Sequence, residues 1–187
     1  MSRGAARPAA RPSPSAARPS PIWLVTLDPG TRRAGIAVHE LTNPRSPTAP
    51  PRATLVRAVD LLTNRAGVRA MVDEIALGLP PLTFEDAVLV SEWPRKYKTQ
   101  RAAHADIDGL RAVVEAVEGW GWARTVRTSP SQWKGNVPKH IHHARVGAAL
   151  DPVDRARVRW DYLGPDARDA VALGRWALGA GRPRVFP

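Results

Sequence analysis

The stretch VTLDPGTRRAGIAV, from Val25 to Val38, decides how the fold of this 187-residue chain is predicted. Apolar residues run up to Asp28, a Pro-Gly turn with two arginines follows, and a second apolar run begins at Gly35. This pattern predicts two buried strands joined by a tight turn, with a carboxylate at the end of the first. An isolated buried acid is unfavourable unless it is paired or coordinates a metal. Asp28 therefore requires partners from elsewhere in the chain.

Composition limits the classes of protein that this chain could belong to. The formal net charge is +11, and a basic surface of this size is typical of proteins that bind a polyanion, most often nucleic acid. There is no cysteine, which excludes disulfides and thiolate metal sites. No apolar run approaches the roughly 20 residues that span a bilayer, and no secretory signal is recognisable. We therefore expect a cytoplasmic protein without a membrane partner.

The first 21 residues differ in composition from the remainder of the chain. They are almost entirely Arg, Ala, Pro and Ser, with four arginines and no acid. Such a segment buries too little apolar surface to offset the entropy of ordering it. The sequence predicts a disordered basic tail over residues 1–21 and one folded domain over residues 22–187.

Hydrophobic periodicity predicts five strands and four helices in the domain. The strands are expected at Ile22 to Leu27, Ala34 to Glu40, Thr54 to Leu62, Ala87 to Ser91 and Ala123 to Arg127, and the helices at Asn64 to Leu79, Thr99 to Glu118, Lys139 to Leu150 and Pro165 to Ala180. Three consecutive strands followed by alternating helices and strands indicate a mixed five-stranded sheet flanked by helices, an α/β domain.

Three further acids could be the partners of Asp28. Glu92 ends an apolar strand, as Asp28 does, and Asp166 and Asp169 lie near the start of the last helix, on one face because they are three residues apart. Acids that converge at one end of a sheet repel one another, and oxygen-only ligation favours Mg²⁺ or Mn²⁺. Two such ions can stabilise both the attacking and the leaving oxygen of a phosphodiester.

Each acid also has a simpler interpretation. Asp28 could be a turn residue, Glu92 could pair with Arg95 or Lys96, and Asp166 could only stabilise the first turn of its helix, where negative charge is favourable. The order and context of the acids together, and no single one of them, favour a metal site.

Several motifs, in order, resemble those of RuvC-type Holliday-junction resolvases, which have the RNase H-like fold. LDPGTRRAGIAV is similar to their first motif, VLVSEW to their second acidic strand, and TQRAAHADIDGLRAVVEAVEGWG to the helix that follows it. SPSQWKGNVPKHIHHARV resembles their Ser-Pro-x-x-x-Lys segment with a second lysine, and PDARDAVALGRWAL resembles their closing Asp-x-x-Asp-Ala helix. The segment between the two lysines is shorter than in the family, and the loop at residues 43–51 is rich in proline.

The resemblance implies a nuclease that uses divalent metal on branched DNA such as a four-way junction. It implies that the two Mg²⁺ or Mn²⁺ ions of the site are held by Asp28, Glu92, Asp166 and Asp169. It also implies that Lys134 and Lys139 contact phosphates near the site. Because a symmetric junction requires two cuts, we further expect a homodimer.

Cations and aromatic residues close to the acids are candidates for contact with DNA. The segment WPRKYKTQR follows Glu92, and aromatic faces stack on exposed bases. Core packing is an equally good interpretation for Trp93. For the histidines of the Lys139 helix, a basic face near DNA is favoured over metal ligation. The candidate DNA contacts outside Lys134 and Lys139 are Arg32, Arg33, Trp93, Arg95, Lys96, Tyr97, Lys98 and His143.

Three other functions fit parts of the pattern. A nuclease of the same fold could act on RNA, on RNA–DNA hybrids or on other DNA structures. A non-catalytic protein could bind branched DNA, although the retained acids disfavour it. The Asp-x-Gly-Thr pattern also resembles the phosphate loop of sugar kinases and actin-like ATPases, but those require two such lobes and this chain has room for one.

Overall fold

The computed structural model describes residues 22–30, 33–42, 52–62, 67–95 and 104–179. Five strands in these ranges form one mixed sheet: β1 (Trp23–Asp28), β2 (Arg33–Thr42), β3 (Arg52–Leu62), β4 (Ala87–Glu92) and β5 (Arg124–Thr128). Their order is β3-β2-β1-β4-β5. The first three strands pair antiparallel, and β4 and β5 continue the sheet in parallel. The mixed five-stranded sheet predicted from the sequence is confirmed.

Helices connect and cover the strands. They are α1 (Gly67–Gly78), α2 (His104–Glu118), α3 (Pro130–Trp133), α4 (Lys139–Ala148), α5 (Pro152–Arg157) and α6 (Pro165–Ala177), with 3-10 turns at Phe84–Asp86 and Trp160–Tyr162. The longer four helices lie where periodicity predicts them. α3 and α5 were not predicted, because helices of four and six residues are too short to show a helical period. The predicted start of the first helix at Asn64 and the tail over residues 1–21 lie outside the described residues.

Both faces of the sheet are buried, which explains the nearly continuous apolar sequence of the central strand β1. Successive side chains of a strand point to opposite faces. Leu24 belongs to a core cluster on one face that includes Leu173 of α6, whereas Val25 belongs to a cluster on the other face with Ile75 of α1 and Val113 of α2. No helix of the described residues is long and apolar enough to cross a membrane.

Helix α6 packs across β1 and β2 and is held by a side chain of the sheet. The buried hydroxyl of Thr26 on β1 donates a hydrogen bond of 2.7 Å to the carbonyl oxygen of Ala170. Gly35 on β2 lies so close to the backbone of Asp166 that an added Cβ would overlap the Asp166 carbonyl group. The first turn of α6 is therefore fixed at the end of the sheet where β1 finishes.

Candidate active site

Asp28 and Glu92 lie side by side at the carboxyl ends of two neighbouring parallel strands. Leu27 pairs with Ser91 in the register of β1 and β4, so Asp28 and Glu92 are the next residues on strands that are about 4.8 Å apart. The pKa of Asp28 is raised well above its usual value, first because the side chain is buried and then because Glu92 is negatively charged. This strand edge therefore concentrates negative charge in a place that water scarcely reaches.

The first two turns of α6 bring two more carboxylates to the same edge. Asp169 is 1% exposed and Asp166 is partly buried. The negative charges of both also raise the pKa of Asp28, after the effects of burial and Glu92. The four acids that the sequence singled out are thus close enough to act on one another electrostatically, although they come from three separate elements.

Two lysines lie among the four acids. The Nζ atom of Lys134 is 3.5 Å from Oδ2 of Asp169 and 3.9 Å from Oε2 of Glu92. The Nζ atom of Lys139 is 2.8 Å from Oδ2 of Asp169 and 3.3 Å from Oδ1 of Asp166. The two ammonium groups therefore bridge three of the acids and offset part of their repulsion.

Asp169 is stabilised in its ionised form by its neighbours. Burial alone would raise the pKa of Asp169, but the hydrogen bond from Lys139 and the positive charge of Lys134 outweigh it, and that pKa is lowered. Lys139 responds in the opposite sense: burial would lower the pKa of Lys139, but the hydrogen bond to Asp169 raises it. Each group therefore keeps the other charged.

Helix α3 places a hydrogen-bond donor and a cation beside Glu92. Thr128, the last residue of β5, pairs in register with Glu92, so the short helix that follows β5 begins at the same edge of the sheet. The indole N–H of Trp133 donates a hydrogen bond of 2.9 Å to Oε2 of Glu92. Burial raises the pKa of Glu92, whereas Lys134 and this hydrogen bond act to lower it. The sequence analysis did not identify Trp133, and its adjacency to Lys134 is the only sequence signal that could have done so.

The structure differs from the sequence prediction at His143. That residue was expected on a basic face directed at DNA, but it is only 7% exposed and its Nε2 atom lies 2.7 Å from Oδ1 of Asp169. Lys139 and His143 are four residues apart on α4, so they share a helix face and can reach the same carboxylate. His143 therefore helps to hold the Asp169 carboxylate in place through this hydrogen bond.

The expected DNA contacts outside the lysine pair fall into two groups. Arg33 and Arg95 are exposed, whereas the Trp93 ring packs partly against the core with the guanidinium of Arg127 3.9 Å from its centroid. Stacking of a base on that face of Trp93 would require Arg127 to move, and Arg127 is held by Glu118 at 2.6 Å. The remaining candidates, Arg32, Lys96, Tyr97 and Lys98, lie outside the described residues.

The donor chemistry of this site fits a hard divalent cation. Among the described residues, no three acidic or histidine side chains converge closely enough to hold an ion as they stand. All four acids offer carboxylate oxygens, which Mg²⁺ and Mn²⁺ prefer. Burial raises the pKa of Asp28 most, and the negative charges of Glu92 and Asp169, which a cation would offset, raise it further. In this structure the ammonium groups of Lys134 and Lys139 provide positive charge beside Glu92 and Asp169.

A five-stranded mixed sheet of this order, covered by helices and carrying acids at the ends of β1 and β4, defines the RNase H-like class of fold. Among solved structures, the chain is similar to RuvC from Thermus thermophilus, with 17% identity, a TM-score of 0.51, and coverage of 81% of this chain and 90% of that one. It is also similar to T. thermophilus RuvC in complex with a Holliday junction substrate, with 16% identity, a TM-score of 0.53, and coverage of 85% and 96%. No protein-family model and no curated protein sequence matches it. The RuvC-like fold expected from the motifs is confirmed.

Proposed function

We propose that this chain is a divalent-metal-dependent endonuclease that cleaves phosphodiester bonds in branched DNA. The proposal is based on one observation. Asp28 and Glu92 lie at adjacent strand ends, and Asp169 lies close to them in contact with Lys134 and Lys139. A RuvC-like fold, a neighbour whose structure holds a Holliday junction and a net charge of +11 support the same substrate class.

In this proposal Asp28, Glu92, Asp166 and Asp169 hold two Mg²⁺ or Mn²⁺ ions. When bound, such ions activate water and stabilise the leaving oxygen of the phosphodiester. The residues of the chain prepare the ligands: Lys139 and His143 keep Asp169 ionised and oriented. Trp133 orients Glu92 and opposes the rise that burial causes in the pKa of Glu92. Lys134 and Lys139, which neutralise the acids in this arrangement, become free to contact the phosphates of the substrate.

The same chemistry would serve a nuclease that acts on RNA, on RNA–DNA hybrids or on other DNA structures, so the substrate has to be tested separately from the chemistry. A non-catalytic DNA-binding protein is disfavoured, because binding a polyanion alone would favour losing the buried negative charge of Asp28 and Asp169. The contact of Tyr97 with DNA, by stacking on exposed bases, stays a prediction. Symmetric cutting of a four-way junction would require a C2 homodimer, which light scattering of the purified protein would detect.

The decisive experiment compares labelled four-way junction, flap, duplex and RNA–DNA substrates with Mg²⁺, with Mn²⁺ and with EDTA. Junction cleavage that requires metal and is abolished in Glu92→Gln is the expected result. Asp73→Asn is the matched control, since Asp73 is an exposed acid on α1. Metal-dependent cleavage of the hybrid alone would favour the alternative substrate. Absence of cleavage on every substrate would contradict the nuclease proposal.

A further inference from the structure

Helix α6 begins without a capping side chain of its own. Its N-cap residue is Gly164, which has no side chain to satisfy the first backbone N–H groups of the helix. The carboxylate of Asp60 on β3 acts as the cap instead, because its Oδ1 accepts a hydrogen bond of 2.9 Å from the backbone N–H of Ala167. Ala167 is the third residue of α6, and its N–H is one that a capping Asp or Ser at the N-cap position would ordinarily bind.

Two glycines make room for this contact. A Cβ atom added to Gly164 would collide with the carboxylate of Asp60. Gly35 pairs with Asp60 on one side and with Asp28 on the other, and the backbone of Asp166 rests on it. Asp28, Gly35 and Asp60 therefore form one row across three strands, in which the central residue leaves space for the start of α6.

We propose that Asp60 is a positioning residue, which caps α6 from β3 and thereby sets where Asp166 and Asp169 lie. Ala167 lies between these two acids in sequence, so the hydrogen bond holds the very turn that carries them. A carboxylate near a helix N-terminus is also electrostatically favourable. The consequence for metal binding rests on the proposed function, whereas the capping itself does not.

The effect should fall more heavily on Asp166 than on Asp169. Asp169 is held independently by Lys139 at 2.8 Å and by His143 at 2.7 Å. Asp166 has a longer contact of 3.3 Å to Lys139 and lies next to the capped amide. Asp60 is two strands from Asp28, a separation of about 10 Å between backbones, which favours capping over direct ligation.

The test uses four variants of the full chain. Asp60→Ala removes the capping oxygen, and Asp60→Asn keeps an acceptor without the charge. Asp60→Ala combined with Gly164→Asp transfers the carboxylate to the N-cap position itself, into the space that the first substitution vacates. Gly164→Asp alone is the control that introduces the clash. Hydrogen exchange of the Ala167 amide and binding of Mn²⁺ by calorimetry are measured for each.

We expect Asp60→Ala to speed exchange at Ala167 and to weaken Mn²⁺ binding at least tenfold, while Asp60→Asn stays within about threefold of wild type. The double variant should recover most of both properties. Unchanged exchange in Asp60→Ala would overturn the capping. A double variant that regains protection at Ala167, but has the weak Mn²⁺ binding of Asp60→Ala, would overturn the positioning role. If the wild-type protein binds no Mn²⁺, the proposed function is overturned instead, and the exchange measurement still decides whether Asp60 caps α6.

Discussion

The indole N–H of Trp133 donates a hydrogen bond of 2.9 Å to Oε2 of Glu92, although the two residues are 41 positions apart in sequence. A hydrogen bond to a carboxylate stabilises its ionised form. Here the bond opposes the effect of burial, which raises the pKa of Glu92. Trp133 thus helps to keep Glu92 in the form that a metal ligand needs.

Trp133→Phe should therefore weaken cleavage most in acidic solution. The phenyl ring keeps most of the packing but removes the donor, so the pKa of Glu92 rises further and the acid limb of the pH–rate profile moves to higher pH. The profile of junction cleavage between pH 5.5 and 8.5 measures this shift. We expect a loss of about 1–3 kcal/mol in the free energy of unfolding, since a partly buried acceptor loses a hydrogen-bond donor.

Trp122→Phe is the matched control for this variant. Trp122 is buried and its indole N–H also donates a hydrogen bond, in this case of 2.6 Å to the carbonyl oxygen of Val117. We expect a similar loss of stability and an unchanged pH profile. The same shift of the profile in both variants would show that Trp133 acts through stability alone.

Asp28→Asn should stabilise the metal-free protein and abolish cleavage. The pKa of Asp28 is raised in the folded state by burial and by Glu92, so ionised Asp28 destabilises the fold, and this penalty grows as the pH rises above the ordinary range of an Asp. Removing the charge should add about 0.5–2 kcal/mol to the free energy of unfolding at pH 7, a gain in stability at the expense of activity. Denaturant unfolding in EDTA measures the gain.

Added Mg²⁺ should reduce or reverse the stability advantage that Asp28→Asn has over wild type in EDTA. An ion that binds only the folded state stabilises it, so wild type should gain stability with added Mg²⁺ and Asp28→Asn should not. Asp73→Asn, at an exposed acid of α1, should behave as wild type in both buffers. Lower stability of Asp28→Asn in EDTA would contradict the electrostatic account of the site.

Lys139→Ala should bind metal more tightly and DNA more weakly. The Nζ atom of Lys139 contacts Asp169 and Asp166. A bound metal ion must compete with this ammonium group for the two carboxylates, and the substitution removes that competitor. If Lys139 also meets a phosphate, the slope of log K against log salt should fall by roughly 0.9. Mn²⁺ calorimetry and junction binding at several salt concentrations measure the two effects, and Lys134→Ala should behave similarly.

Arg124→Ala provides the comparison for the lysine variants. Arg124 is exposed at the start of β5, the end of the sheet opposite to Glu92. Its removal should leave Mn²⁺ affinity unchanged and preserve the salt slope. An unchanged slope in Lys139→Ala as well would show that this lysine serves the acids only, without a phosphate contact.

The sequence was sufficient to predict the five strands, the longer helices and the position of Asp28 and Glu92 at adjacent strand ends. Strand-end acids such as Asp28 and Glu92 are visible because each follows an apolar run, and parallel pairing brings such ends to the same edge. The three-residue spacing of Asp166 and Asp169 likewise fixes their shared helix face. These are local patterns whose consequences follow from the geometry of strands and helices.

The residues that hold the acids of the site in place could not be predicted in the same way. Asp60 reaches the Ala167 amide across 107 residues, and no local pattern distinguishes it from any other acid on a strand. His143 was assigned to a basic surface because the sequence has no cysteine and no carboxylate pattern near it, whereas packing of α4 buries it against Asp169. Such roles depend on contacts between elements that are distant in sequence.

The buried residue His39 allows the pH dependence of stability to be tested independently of catalysis. His39 on β2 is 3% exposed, its ring lies against Gly174, and its Nδ1 atom has no hydrogen-bond partner among the described residues. Burial, reinforced by the positive charge of Arg175, lowers the pKa of His39 from 6.5 to about 4. The folded protein therefore holds this ring neutral at pH values where an unfolded chain protonates it.

Stability should consequently fall as the pH is lowered from 6.5 to 4, because the unfolded state then binds a proton that the folded state does not. The full shift corresponds to at most about 3 kcal/mol at pH 4. His39→Gln cannot titrate and keeps a donor for the Leu24 carbonyl, so its unfolding free energy should depend less on pH by that amount. Denaturant unfolding of both proteins in EDTA, between pH 4.5 and 7.5, measures the difference. The contribution of the carboxylates, which titrate in both proteins, cancels in this comparison.

His140→Gln, at an exposed histidine of α4, controls for the loss of an imidazole. Parallel curves for wild type and His39→Gln would show that His39 does not contribute to the acid sensitivity of the fold.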